Sequence, residues 1–197
     1  MTNLAMLLSD AKWHREPPDW ALTDTALTLT TGEKTDFWQD TFYGFRRDDG
    51  HFLGCEALGD FTVSVSFDAA YQVLYDQAGL MMRSDAQNWI KAGIEYSDDV
   101  TNFSVVVTRA GRSDWSVIAV PLVSGSQSVR LTRKDGAVIV HYQGLDGAWH
   151  LMRLADFPVG GSVQVGPMAC SPKRAGLTVH FDDFSVGPPI DRPLHAD

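Results

Sequence analysis

The run WIKAGIEY at 89–96 places an ammonium, Lys91, four residues before a carboxylate, Glu95, with an indole, Trp89, two residues ahead of the ammonium. Taken as an extended strand with a period of two, it puts Ile90, Ala92, Ile94 and Tyr96 on one face. Trp89, Lys91, Gly93 and Glu95 fall on the other. That second strip can hydrogen-bond hydroxyls and stack on a flat ring, and Glu95 is its one group suited to acid or base work. The same rule applied to YDQAGLMMR turns Ala78, Leu80 and Met82 inward and sends Tyr75, Gln77, Gly79, Met81 and Arg83 outward. A solvated face on which Lys91 or Arg83 merely pairs with Glu95 would be worth only ~0–1 kcal/mol. Outer-face Trp, Tyr and Met are costly to leave wet unless they line a groove, which favours a binding surface for the group as a whole.

Residues 36–52, DFWQDTFYGFRRDDGHF, supply more aromatics: Phe37, Trp38, Phe42, Tyr43, Phe45 and Phe52. They follow neither a strand nor a helix period, which suits a loop and edge segment. Phe37, Phe45 and Phe52 are expected to anchor in the core, leaving Trp38, Tyr43 and His51 as a rim. The segment either lines the groove or plugs it. The expected ligand-binding set is Trp38, Tyr43 and Trp115 as platforms, Gln77, Arg83, Lys91 and Glu95 for hydroxyls, and His51 and Tyr75 as flanking contacts.

Other chemistries find little support. The E-x-D-x-x-E strand motif, which sets two carboxyls roughly 5–5.5 Å apart for retaining glycoside hydrolysis, is absent. Of the four glutamates, Glu16, Glu33, Glu56 and Glu95, only Glu95 falls on the outer strip. A hydrolase would need a partner for it such as Asp76, Asp40 or Asp114. The histidines, His14, His51, His141, His150, His180 and His195, lack ligand spacing, so no metal site is expected. There is no nucleophile elbow and no phosphate-cradling loop, and no cofactor is expected.

The elements that must position these residues are strands. FTVSVSFD at 61–68 alternates strictly, and AGLMMR, WIKAGIEY, FSVVVTR, WSVIAVP, SVRLTRK, AVIVHYQ, AWHLMRLADF, VQVGPMAC and GLTVHFDDFSV continue the series. Asp135-Gly136 and Asp146-Gly147 mark hairpin turns. A short helix near Leu4 to Leu8 is the exception. Ten to thirteen short antiparallel strands in 197 residues predict an all-β sandwich or jelly roll in one domain over 1–187, followed by an exposed Pro-rich tail over 188–197. A net charge of −9 argues against nucleic acid and anionic membrane surfaces as partners. The absence of a leader pattern, of an apolar run of membrane length and of a disulfide framework around Cys55 and Cys170 points to a cytoplasmic protein with two free thiols.

In order along the chain, FWQDTFYGFRRDDGHF, YDQAGLMMRSDAQNWIKAGIEY, TRAGRSDWSV, VGPMACSP and VHFDDFSV resemble the regulation-of-enolase-like family of unknown function (DUF1349). That family is placed among the concanavalin A-like lectins and glucanases. The resemblance runs from about Trp20 to Val186. It implies a concanavalin A-like jelly roll of two antiparallel sheets, one concave, with first and last strands adjacent; related folds carry a sugar site on the concave face. A yeast member linked to enolase and galactose metabolism gives the family its name. The expected function is a non-catalytic module binding a small sugar, sugar phosphate or other metabolite. The alternatives are a glycosidase-like enzyme using Glu95, acting on a glycoside or sugar phosphate, and a protein-interaction module that regulates a metabolic enzyme.

Overall fold

The computed structural model describes residues 3–120, 125–158 and 160–195. A single helical turn, α1 (Leu4–Leu7), is capped by the Asn3 side chain. Among the described residues sixteen strands follow: β1 (Lys12–Trp13), β2 (Asp19–Leu22), β3 (Leu27–Thr30), β4 (Phe37–Gln39), β5 (Arg46–Asp48), β6 (His51–Ala57), β7 (Phe61–Ala69), β8 (Gln77–Asp85), β9 (Asn88–Ser97), β10 (Val100–Arg109), β11 (Arg112–Val120), β12 (Gln127–Lys134), β13 (Ala137–Gln143), β14 (Trp149–Asp156), β15 (Val163–Cys170) and β16 (Thr178–Gly187). The count exceeds the expected ten to thirteen because β1 to β5 are too short to show a period.

Two antiparallel sheets of seven strands face each other as a jelly roll, in the orders β1-β6-β15-β8-β9-β10-β11 and β14-β13-β12-β7-β16-β3-β2. A small hairpin, β4-β5, stands apart from both. The core between the sheets takes one face of each strand. Phe61, Val63, Val65 and Phe67 of β7 are buried and alternate with half-buried Thr62, Ser64 and Ser66, as the sequence pattern requires. Opposite them lie Ala78, Leu80, Met82, Ile90, Ala92 and Ile94, six of the seven residues assigned inward on β8 and β9; the seventh, Tyr96, is half-buried and outside the core. Full burial of each larger side chain is worth about 1.5–3 kcal/mol, so this shared face decides the register of both strands.

The turns between long strands explain the tight meander. Asp135 and Gly136 both adopt positive φ, 52° and 77°, the geometry a two-residue hairpin needs. Asp98 and Asp99 do the same without glycine, at 53° and 61°. Asp146-Gly147 departs from the expected two-residue turn. Only Gly147 has positive φ, 76°, within a five-residue loop closed by Gly144 N donating to Ala148 O at 2.9 Å.

In the described part of the tail, Ile190 N donates to Thr62 Oγ1 at 3.1 Å and Lys134 Nζ to the Asp191 carbonyl at 3.3 Å, which tie it back onto the second sheet. Cys55 and Cys170 are free thiols, the second fully buried.

Candidate functional site

The outer face of the first sheet carries the strip anticipated on β8 and β9. Pairing of Gln77 with Glu95, Gly79 with Gly93 and Met81 with Lys91 lays those six side by side, and β10 adds Val106 opposite Lys91 and Ser104 opposite Gly93. One half of this face is dry. Phe37 of the β4-β5 hairpin packs on Trp89 with ring centroids 5.9 Å apart, and Phe52, Met81, Val106, Met168 and Cys170 complete a second apolar cluster distinct from the inter-sheet core. The hairpin is pinned by Arg83, whose Nη1 and Nη2 donate to the two oxygens of Asp48 at 2.8 Å each, and by Gln39 N donating to Ser113 Oγ at 2.9 Å.

The other half holds a cavity of about 320 Å³. Its walls are Trp38, Tyr43, Phe45, Tyr75, Trp115 and Leu74, with Pro172 and Lys173 at the edge; its polar lining is Asp36, Gln77, Lys91 and Glu95. Trp38 meets Tyr43 edge to face at 5.5 Å, and Tyr43 stacks on Phe45 at 5.5 Å. Segment 36–52 therefore does both things open to it: it plugs one half of the face and walls the other.

Seven of the nine expected site residues come together here: Trp38, Tyr43, Tyr75, Gln77, Lys91, Glu95 and Trp115. Two do not. Arg83 lies beneath the hairpin, spent on Asp48. His51, expected on the rim, is 1% exposed and structural: Gly32 N donates to its Nε2 at 2.9 Å and its Nδ1 contacts the Arg15 carbonyl at 3.0 Å. Burial depresses its pKa, which keeps the ring neutral in that arrangement.

Phe45, expected in the core, is 43% exposed and lines the cavity. The proposed carboxylate partners for Glu95 are elsewhere: Asp76 is bound by Arg174, Asp40 by Arg46 and Asp114 by Arg153. The acidic neighbour is Asp36, a residue that no spacing rule connects to position 95.

Lys91 is the hub of the polar lining. Its Nζ donates to Gln77 Oε1 at 2.6 Å and to Asp36 Oδ1 at 3.4 Å, while Gln77 Nε2 donates to the Tyr75 carbonyl at 3.2 Å. Burial alone would push the ammonium toward neutrality, but Asp36 and Glu95 outweigh it and its pKa is raised. Glu95 accepts from Ser104 Oγ at 2.9 Å, and Ser104 in turn accepts from Trp115 Nε1 at 2.9 Å. Burial raises the Glu95 pKa, only partly opposed by Lys91 and Ser104. At the cavity mouth the Tyr75 hydroxyl is pushed up to about 12, first by Tyr43 and then by burial.

The Glu95 shift has a consequence for stability. A carboxyl whose folded pKa lies above its unfolded value, ordinarily 4.5, favours the fold while protonated and loses that benefit as pH rises through the folded pKa. Glu95→Gln should therefore raise the melting temperature at neutral pH, with the gain shrinking in acid below the ordinary carboxylate range. Thermal melts of both proteins across that range check this, and a variant less stable at neutral pH would contradict it.

No helix among the described residues is long and apolar enough to cross a membrane, and among them no group of three or more His, Cys, Asp or Glu is disposed to hold a metal ion. The fold has counterparts among known proteins. "Regulation of enolase protein 1" of Saccharomyces cerevisiae is 43% identical over 188 residues, covering 95% of this chain and 94% of that one. A crystal structure of a functionally unknown protein from Saccharomyces cerevisiae superposes with a TM-score of 0.88 at 43% identity, over 93% of this chain and 99% of that chain. Bacteroides ovatus Xyloglucan PUL GH43B, at 20% identity, shares the fold with a TM-score of 0.65 over 84% of this chain and 34% of its own. The profile described as "Protein of unknown function (DUF1349)" matches residues 13–189, nearly the whole described sandwich, and the chain belongs to that family.

Proposed function

We propose that the protein is a non-catalytic module that binds a small carbohydrate or related metabolite in the cavity on the concave face of the first sheet. The observation that carries this reading is the composition of one recess. Five aromatic side chains wall a volume of about 320 Å³ over a hydrogen-bonded polar floor that is buried at Gln77, Lys91 and Glu95. Sugars need that combination, because their C–H patches sit on ring faces while their hydroxyls need fixed donors and acceptors. The volume lies at the lower end of the roughly 300–1,000 Å³ usual for ligand pockets, so the ligand is small rather than polymeric.

Support for a binding rather than hydrolytic role comes from Asp36. It accepts from Lys91, from Gln77 and from Phe37 N at 2.8 Å, which leaves it poorly placed to act as nucleophile or base beside Glu95. The free thiols fit a cytoplasmic setting.

A second reading, a contact with a protein partner, rests on the hairpin tip. Phe42 is 92% exposed in a left-handed conformation, φ 63°, next to Tyr43 and Phe45. The name of the yeast relative points the same way.

A thermal-shift screen against monosaccharides, amino sugars, disaccharides, polyols and small metabolites with a quaternary ammonium group separates the two. Binding that stabilises the protein and is weakened about tenfold, or ~1.4 kcal/mol, by Trp115→Ala supports the cavity reading. Failure of the whole panel to shift the melting temperature removes it and leaves the partner reading.

A further inference from the structure

We infer that the ligand of this cavity carries a positive charge, as a protonated amine or quaternary ammonium group seated against Glu95 between the aromatic walls. This rests on the small-molecule reading of the cavity and goes beyond it by fixing the ligand's charge.

The charges on the lining do not balance. Glu95, buried, and Asp36, half-buried, each bring a carboxylate, and among the described lining residues Lys91 is the one buried cation. Lys173 is exposed at the edge, where solvent screens it. Arg83, which could have supplied a second cation, is held bidentate by Asp48 beneath the hairpin. One negative charge is left over.

The surplus sits on Glu95. The Lys91 ammonium is directed at Gln77 and Asp36. Glu95 receives a hydrogen bond on Oε2 only, from Ser104, and its Oε1 has no donor among the described residues. At 8% exposure and on the cavity lining, that carboxylate has an unfilled acceptor in a place water reaches poorly.

The walls suit a cation as well. The Trp115 N–H is turned into the wall toward Ser104, so what the indole offers the cavity is ring surface. Trp38, Tyr43 and Tyr75 add further rings. A cation over such faces is attracted by the negative ring surface, and more strongly as water is excluded. A neutral polyol gains ring contacts through its C–H groups and hydrogen bonds but leaves the charge on Glu95 unpaired, and a phosphate ester meets Glu95 and Asp36 with like charge. Burial already holds the Glu95 pKa up, and an arriving cation would bring it back down.

Isosteric probes test the charge directly on the unmodified protein. Calorimetry near neutral pH would compare glucosamine with glucose and choline with its neutral carbon isostere dimethylbutanol, with a glucose phosphate ester as the anion. The expected result is at least about tenfold tighter binding of the charged member in one pair. Glu95→Gln, which keeps the shape and the Ser104 contact, should erase that preference. Glucose binding as well as glucosamine, with choline no better than its isostere, overturns the cation and leaves the site reading standing. Strongest binding by the phosphate ester overturns it equally. No binding by any probe overturns both.

Discussion

Lys91→Met should cost about 3–5 kcal/mol of folding stability at neutral pH, the usual penalty for removing one member of a buried ionic cluster. Lys91 is 5% exposed, with Asp36 at 3.4 Å and Glu95 close enough to raise its pKa. Methionine fills nearly the same volume, so the loss isolates charge from packing. Without the ammonium, Glu95 loses the charge that opposes the effect of its burial, and its protonated form is favoured further. Its folded pKa then stands further above the unfolded one, so the variant loses stability as pH rises through it and regains it in acid. Urea denaturation at neutral pH and at about pH 4 measures both limbs. Adding Glu95→Gln should recover part of the neutral-pH loss. A penalty under about 1 kcal/mol at neutral pH would mean that water penetrates the floor and that the cluster behaves like a surface pair.

Gly93→Ala should be at least as damaging. A methyl group at position 93 would sit 2.0 Å from the Ala78 carbonyl oxygen and 2.7 Å from Cα of Gly79. The reciprocal position is equally closed, since a methyl at 79 would lie 2.2 Å from the Ala92 carbonyl oxygen. Both obstacles are backbone, so no side chain can swing aside and β8 must part from β9. Overpacking of this severity exceeds the ordinary 1–3 kcal/mol, and a loss of about 3 kcal/mol or more is expected. Gly187→Ala, where a methyl group meets nothing within 4 Å, serves as the control and should change stability by no more than about 0.5 kcal/mol. Equal effects of the two substitutions would show that the close approach across β8 and β9 relaxes at little cost. The same paired glycines bring Lys91 and Glu95 onto one smooth stretch of sheet, so the damage should extend to the cavity.

The inward faces of β7, β8 and β9 were legible because a period of two is a local property, and nothing distant overrides it in the inter-sheet core. Residues sent outward by the same rule were harder to place. Met81 and Trp89 were assigned to an outer surface, and they are outer, yet both are fully buried. What buries them is a hairpin some forty residues earlier, held by Arg83 and Asp48 at a separation of 35. No pattern within either segment encodes that contact. His51 failed for a related reason, since its partners lie on Arg15 and Gly32, in stretches with no strong period. Asp36 was missed although it opens the aromatic stretch: its importance comes from meeting Lys91, 55 positions away. Aromatic richness in 36–52 did signal the cavity wall, whereas the division between dry plug and open wall needed coordinates.

The positions of the two last strands bear on how the chain is made. β15 lies between β6 and β8, and β16 between β7 and β3, so each sheet receives a C-terminal strand in its interior rather than at its edge. Until residues 163–187 leave the ribosome, the first sheet is split between β6 and β8 and the second between β3 and β7. The nascent chain thus shows four open strand edges with apolar faces and cannot complete either sheet. Completion of both sheets waits on residues 163–187, with non-local pairings formed late, and chains that stop short of β15 are the form most exposed to aggregation.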